Sequence, residues 1–159
     1  MRHVLLAVAF ATMVYSPVAA ASHANQPGHF GLGLIVGEPT GLSGKYTINQ
    51  QFAVQGALGL SLIEKGFWLN TDFLIQFPRV ITRDGKWPLY MGGGLILQGR
   101  GNEGKNKDNT AALGLRAVVG VEFLADNQVS FFGEVSAQPF LIPFLDFGVG
   151  LGLGARYWF

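Results

Sequence analysis

Leu145-Asp146-Phe147-Gly148-Val149-Gly150-Leu151-Gly152-Leu153-Gly154-Ala155-Arg156-Tyr157-Trp158-Phe159 alternates with a period of two over fifteen residues. Apart from Ala155 and Trp158, odd positions carry large apolar or aromatic residues, while even positions carry Asp, Gly and Arg. Successive side chains of a β-strand point to opposite faces. The stretch therefore reads as a strand with one bulky apolar face and one face of glycine and charge. A helix of 3.6 residues per turn would mix the two classes. Asp146 and Arg156 must share a face, because their separation is even.

Working back along the chain, the same alternation predicts seven further strands. They are His29–Val36, Gly41–Asn49, Phe52–Ile63, Phe67–Phe77, Pro88–Gly99, Thr110–Leu124 and Val129–Gln138, with the last running Phe144–Phe159. Between them stand Gly37-Glu38-Pro39-Thr40, Asn49-Gln50-Gln51, Glu64-Lys65-Gly66, Asp84-Gly85, the polar loop Arg100–Asn109, Asp126-Asn127, and Pro139 with Pro143, all turn chemistry. The glycine side of these strands also carries Lys45, Asp72, Arg116, Glu122, Glu134, Asp146 and Arg156. Arg116 and Glu122, six apart, again share a face whatever the register.

A soluble lipocalin-like barrel is apolar inside and polar outside. Here the second face is rich in glycine, which cannot fill an apolar core, and its charges recur at mid-strand. The apolar face therefore turns outward to lipid. The expected fold is all-β: an eight-stranded antiparallel up-and-down transmembrane β-barrel over residues 29–159.

Composition agrees. Glycine makes up 23 of 159 residues without the three-residue period of collagen, and 49% hydrophobic content excludes a disordered chain. After the N-terminal leader no apolar run reaches 18 residues, which argues against helical spans. Zero cysteines exclude disulfides and thiol chemistry. The leader itself is Met1-Arg2-His3, an apolar run from Val4 to Val14 broken only by Thr12, then Pro17 and Ala19-Ala20-Ala21. This pattern predicts a signal peptide over 1–21, with cleavage between 20 and 24, followed by a short periplasmic segment over 22–28. Loss of Arg2 leaves ten basic residues against ten acidic ones, so nothing points to nucleic acid.

An up-and-down course places Phe30, Tyr46, Phe52, Phe77, Phe123, Phe131, Tyr157 and Phe159 at the periplasmic ends of the strands, with Trp87, Tyr90 and Trp158 at the same level. That is the expected position of an interfacial aromatic girdle.

From His29 to Phe159 the chain resembles the small eight-stranded outer-membrane barrels typified by outer membrane proteins A and X. The run Gly37-Glu38-Pro39-Thr40-Gly41-Leu42-Ser43-Gly44-Lys45-Tyr46 is similar to one shared by a family of uncharacterised bacterial outer-membrane-type barrels. The resemblance implies an outer-membrane location and no established activity. It also implies that Gly154, Tyr157 and Phe159 form a C-terminal signal to the barrel assembly machinery. Gly152 departs from the polar residue usual at the signal's opening position.

Catalysis has little to work with. Beyond the leader only His23 and His29 occur, both at or before the first strand. A Ser–His–acid or Asp–His arrangement needs an imidazole beside the nucleophile or water. No catalytic, cofactor-binding or metal-binding residues are therefore assigned, and no enzyme or cofactor is expected. The reading is an integral outer-membrane protein with a structural or interaction role; the alternative is a lipid-binding or lipid-modifying barrel. Outer-membrane lipid and lipopolysaccharide are the expected surroundings, with Lys105 and Lys107 in the loop Arg100–Asn109 placed to meet lipid phosphates. A monomer is expected.

The seven lumen charges predict a closed electrostatic plug, since eight strands leave room for side chains only. Arg116 pairs with Glu122 or Glu134, the latter preferred for lying on the adjacent strand. The glycines at 148, 150, 152 and 154 either pack against bulky residues such as Phe132, Tyr90 or Trp68 or leave room for an acyl chain. A serine at Gly120, on the lumen side, is expected to be tolerated.

Overall fold

The computed structural model describes residues 28–61, 66–77, 81, 87–100, 110–125, 128–143 and 145–159. The signal-peptide reading, the preceding segment over 22–27 and the loop over 101–109 lie outside them. Eight strands follow one another: β1 (Phe30–Gly37), β2 (Thr40–Thr47), β3 (Phe52–Ser61), β4 (Gly66–Phe77), β5 (Leu89–Arg100), β6 (Thr110–Leu124), β7 (Val129–Ile142) and β8 (Asp146–Trp158). Each pairs antiparallel with the next, and β8 returns to β1 to close the barrel. Closure removes every open sheet edge that a bilayer would penalise, except where neighbouring strands differ in length.

The alternation sets the polarity. Leu32, Leu34, Leu42, Leu58, Leu69, Leu95, Leu115, Val119, Val135 and Leu151 all lie on the outer surface and are exposed. The opposite parity is buried, and it includes Lys45, Asp72, Arg116, Glu122, Glu134 and Arg156. Lipid-facing outside and polar within is the inversion that the glycine face required.

The aromatic girdle is only partly as expected. Phe30 stacks with Phe159 at 6.4 Å between centroids, Phe52 with Phe73 at 5.6 Å, and Trp87 lies 4.6 Å from Phe123. Tyr90 and Trp158 share that level but turn into the lumen and are fully enclosed. Their even parity, shared with Gly92 and Arg156, is what turns them.

Most strand ends fall within two residues of the sequence reading. The larger difference is β7, which continues through Pro139 to Ile142. Proline has no N–H to give a ladder and belongs at bulges or edges. The β6–β7 ladder is accordingly interrupted between Ala117↔Ala137 and Gly114↔Phe140, and its register shifts between Leu113 and Gly114.

Local chemistry explains the tight connections. Gly37 has φ of +129°, a conformation that side chains oppose, and its N–H donates to Thr40 Oγ1 while that hydroxyl donates to the Gly37 carbonyl. The β2–β3 turn is held by Asn49 Oδ1, which accepts from the N–H groups of Gln51 and Phe52 at 2.9 and 2.8 Å. The wall is uneven in height: β1 and β2 have eight residues each, whereas β6 has fifteen and β8 thirteen.

Candidate functional site

The lumen is the only place where chemistry-bearing side chains converge among the described residues. Three cations, Lys45, Arg116 and Arg156, face three acids, Asp72, Glu122 and Glu134, all at most 5% exposed. In such a medium an unpaired charge costs several kcal/mol, so geometry must bring opposite signs together. It does so in two linked groups.

In the first, the Arg116 guanidinium forks between two carboxylates. Nη2 donates to Glu134 Oε1 at 2.6 Å, and Nη1 donates to Asp72 Oδ2. Gln55 Nε2 bridges the same two acids, at 3.2 Å from Asp72 and 3.1 Å from Glu134. Tyr90 donates its hydroxyl to Glu134 at 3.0 Å, and Asn70 donates to Asp72 at 2.9 Å. Trp68 Nε1 extends the chain upward to Asn70 Oδ1 at 3.0 Å.

In the second, Lys45 Nζ donates to Glu122 Oε2 at 2.6 Å, and Ser130 donates to the other oxygen of Glu122 at the same distance. Lys45 also lies 4.8 Å from the Tyr90 ring centre and 5.9 Å from that of Trp158. Trp158 Nε1 donates to Ser130 at 2.9 Å. Arg156 joins the two groups: Nη2 donates to Ser43 Oγ at 2.9 Å and to Gln55 Oε1 at 3.2 Å, while Nη1 stands 3.7 Å from Glu122. Its guanidinium lies 3.6 Å over the Phe132 ring, a cation–π contact in a desolvated setting.

Asp146 is the exception among the seven charges read as lumen residues. Parity aims it with the others, but it is the first residue of β8 and is exposed at the rim, with its Oδ1 accepting from the Phe147 N–H at 2.8 Å. Parity fixes a face and says nothing about depth. The correction balances the buried charge, three against three, so no acid is left over. Of the two candidate partners for Arg116 the lumen brings Glu134, whereas Glu122 is taken by Lys45 and Arg156. Asp72, two strands away, was not foreseen as a partner. Nor were the neutral members Ser43, Gln55, Asn70, Tyr90, Ser130 and Trp158, although each has inward parity. Asp72 Oδ1 and Arg116 Nε have no hydrogen-bond partner among the described residues, so the satisfaction is good but incomplete.

The glycine stripe of β8 is filled by the barrel's own side chains. A Cβ at Gly148 or Gly150 would meet Gln138, one at Gly152 would meet Ile35, and one at Gly154 would lie 2.4 Å from the Phe132 ring. Close packing therefore accounts for the stripe, and the acyl-chain alternative loses the feature that suggested it. Gly154, Tyr157 and Phe159 lie along β8 and just beyond it, with Tyr157 and Phe159 exposed and their rings in edge contact at 5.0 Å.

Gly120 overturns an expectation. A Cβ there would stand 2.3 Å from Cζ of Tyr90 and 2.4 Å from its hydroxyl oxygen. A side chain must push the ring off its bond to Glu134. Gly120→Ser is thus expected to lower stability by about 1–3 kcal/mol, the usual cost of overpacking. Gly44→Ala, whose nearest neighbours would be 3.9 Å away, should change little in the same urea titration.

No family model and no curated relative matches the sequence. Among solved structures the chain is similar to the N-terminal β-barrel domain of Pseudomonas aeruginosa OprF, with a TM-score of 0.63 and 15% identity. That match covers 84% of this chain and 100% of the other. It is also similar to Neisserial surface protein A, NspA, with a TM-score of 0.53 and 17% identity, over 82% of this chain and 93% of that one. Strand number, closure and an apolar outer surface around a charged lumen make this chain an eight-stranded barrel of the outer-membrane type.

Proposed function

We propose that the chain is an integral protein of the bacterial outer membrane with a structural or interaction role, no catalytic activity and a lumen that conducts nothing. The observation that carries this reading is the balanced network: all six buried charges are committed to one another, and it ties together seven of the eight strands. Eight strands enclose little more than their own side chains. Trp68, Ile96, Ala112 and Phe140 form an apolar cluster above the charges, and Ala53, Leu74, Tyr90 and Val118 form another. His29, the one histidine among the described residues, is an exposed rim residue within 3.2 Å of the Thr47 carbonyl, away from every buried acid.

In this reading the end bearing Phe30 and Phe159 faces the periplasm, and Gly154, Tyr157 and Phe159 serve the barrel assembly machinery. The loop Arg100–Asn109 meets lipopolysaccharide phosphates from the opposite side, and the barrel is a monomer. The family-like run Gly37–Tyr46 fits a structural purpose. It contains the β1–β2 turn together with Ser43, which holds Arg156, and Lys45, which holds Glu122. Planar-bilayer recordings of purified protein test the closed lumen: no sustained conductance is expected, and steady single-channel openings would overturn it.

A further inference from the structure

The seam between β1 and β8 is, with β1–β2, one of the two shortest in the barrel. It runs for seven rungs, Gly31↔Trp158 to Gly37↔Gly152, and β1 has only six more with β2. The β5–β6 ladder has twelve. Inward, β1 offers Gly31, Gly33, Ile35 and Gly37, so it is the one strand that places no polar side chain in the lumen network. The other seven strands are cross-linked through it. Only backbone bonds and a few apolar contacts hold β1 in place.

Its two ends are also unlike. Near the termini, Phe159 N–H donates to the Phe30 carbonyl at 2.8 Å, the rings of the two residues stack, and Trp158 covers Gly31. At the far end β1 stops at Gly37, and Glu38 N–H makes a last bond to the Leu151 carbonyl at 2.8 Å. Beyond that point β8 continues to Asp146 with β7 alone beside it. The Phe147 N–H, on the side facing the missing neighbour, turns to the Asp146 carboxylate.

We propose that the barrel opens laterally at the β1–β8 seam, starting from the end opposite the chain termini. Local opening begins where few bonds must break and no side-chain pairs oppose it. The six-rung β1–β2 ladder is as bare, but at this end the Gly37–Thr40 turn ties it shut. Broken rungs in hydrocarbon leave backbone groups unsatisfied, so the opening is confined to the rungs of Ile35, Val36 and Gly37. It uncovers Gly152, which Ile35 otherwise covers, to the surrounding lipid. In the orientation proposed above that lipid is the outer leaflet; the opening itself does not depend on which way the barrel faces.

Residue-resolved amide hydrogen exchange of the purified protein in micelles and in lipid nanodiscs is the test. Val36 and Leu153 should exchange at least tenfold faster than Gln98 and Ala112, which occupy the corresponding end of β5–β6. They should also exchange faster than Leu32 and Tyr157, nearer the termini. Faster exchange at Leu32 and Tyr157, as in ordinary terminal fraying, or equal protection of Val36 and Gln98, overturns the proposal. The chain has no cysteine, so Val36→Cys with Leu153→Cys gives an unambiguous staple. When oxidised it should bring the amides of positions 36 and 153, which face each other across the seam, to the protection of β5–β6 and leave Leu32 unchanged. Should that variant fail to fold, the exchange pattern of the native chain still decides. Bilayer conductance, which reads the plug, is a separate measurement and fails separately.

Discussion

Replacing Arg116 with alanine is expected to lower the unfolding free energy by about 3–5 kcal/mol, the usual result of removing one partner of a buried ion pair. The reason lies in what is left behind. Asp72 and Glu134 both accept from one guanidinium, and Gln55, which bridges them, is neutral. Without Arg116 two carboxylates face each other with no cation between them, and at least one must take up a proton or draw in water. Urea unfolding in detergent, followed by gel mobility, reads the loss. Double-mutant cycles then locate the interaction. Arg116 should couple to Asp72 and to Glu134. It should be additive with Glu122 within about 0.5 kcal/mol, because that residue lies six positions further along β6, about 20 Å away in an extended strand. Arg116→Met combined with Asp72→Asn and Glu134→Gln should recover much of the stability, since removing all the charges leaves nothing stranded. Additivity of Arg116 with both of its contact acids would show that the guanidinium contributes by packing alone.

The parts of this molecule that were legible from sequence are those fixed by strand parity. Arg116 and Glu122 share a face because six is even, and glycines alternating with leucines on β8 could only mean one thin face and one bulky one. Polarity, strand number and closure followed. The parts that escaped depend on depth and on register around the barrel. Asp146 has inward parity but stands at the rim. Pro139 reads as a stop, yet β7 passes through it because the ladder with β6 skips those rungs. Lys45 on β2 meets Glu122 on β6, and Arg116 on β6 reaches Asp72 on β4. Contacts across a lumen are set by how far each strand is displaced against its neighbours, and a single strand's sequence does not contain that displacement. The pair Arg116 and Glu134 was more accessible, since adjacent strands need only one register. Gly120 shows the same limit: its inward parity was plain, but the ring resting on it comes from the neighbouring strand.

Leu115→Arg carries the second large effect. Leu115 faces outward near the middle of β6, exposed on the barrel surface, with the buried Arg116 as its neighbour in sequence. The two adjacent positions offer opposite solvents to the same guanidinium. At 116 it finds two carboxylates; at 115 it finds acyl chains. An arginine on the lipid face of a barrel costs about 2–4 kcal/mol at the bilayer midplane and about 0–1 near the interface. Leu115→Arg is therefore expected to destabilise by about 2–4 kcal/mol in lipid vesicles. Leu145→Arg, at the rim before β8 and 85% exposed, should cost no more than about 1 kcal/mol. Reversible unfolding of both variants in bilayers of one lipid gives the two values side by side. The difference between them is the informative quantity, because charge, volume and entropy are the same in each and depth alone varies. Equal effects at 115 and 145 would mean that the apolar surface is not immersed. A protein more damaged by Leu145→Arg would place the bilayer around the wrong part of the wall.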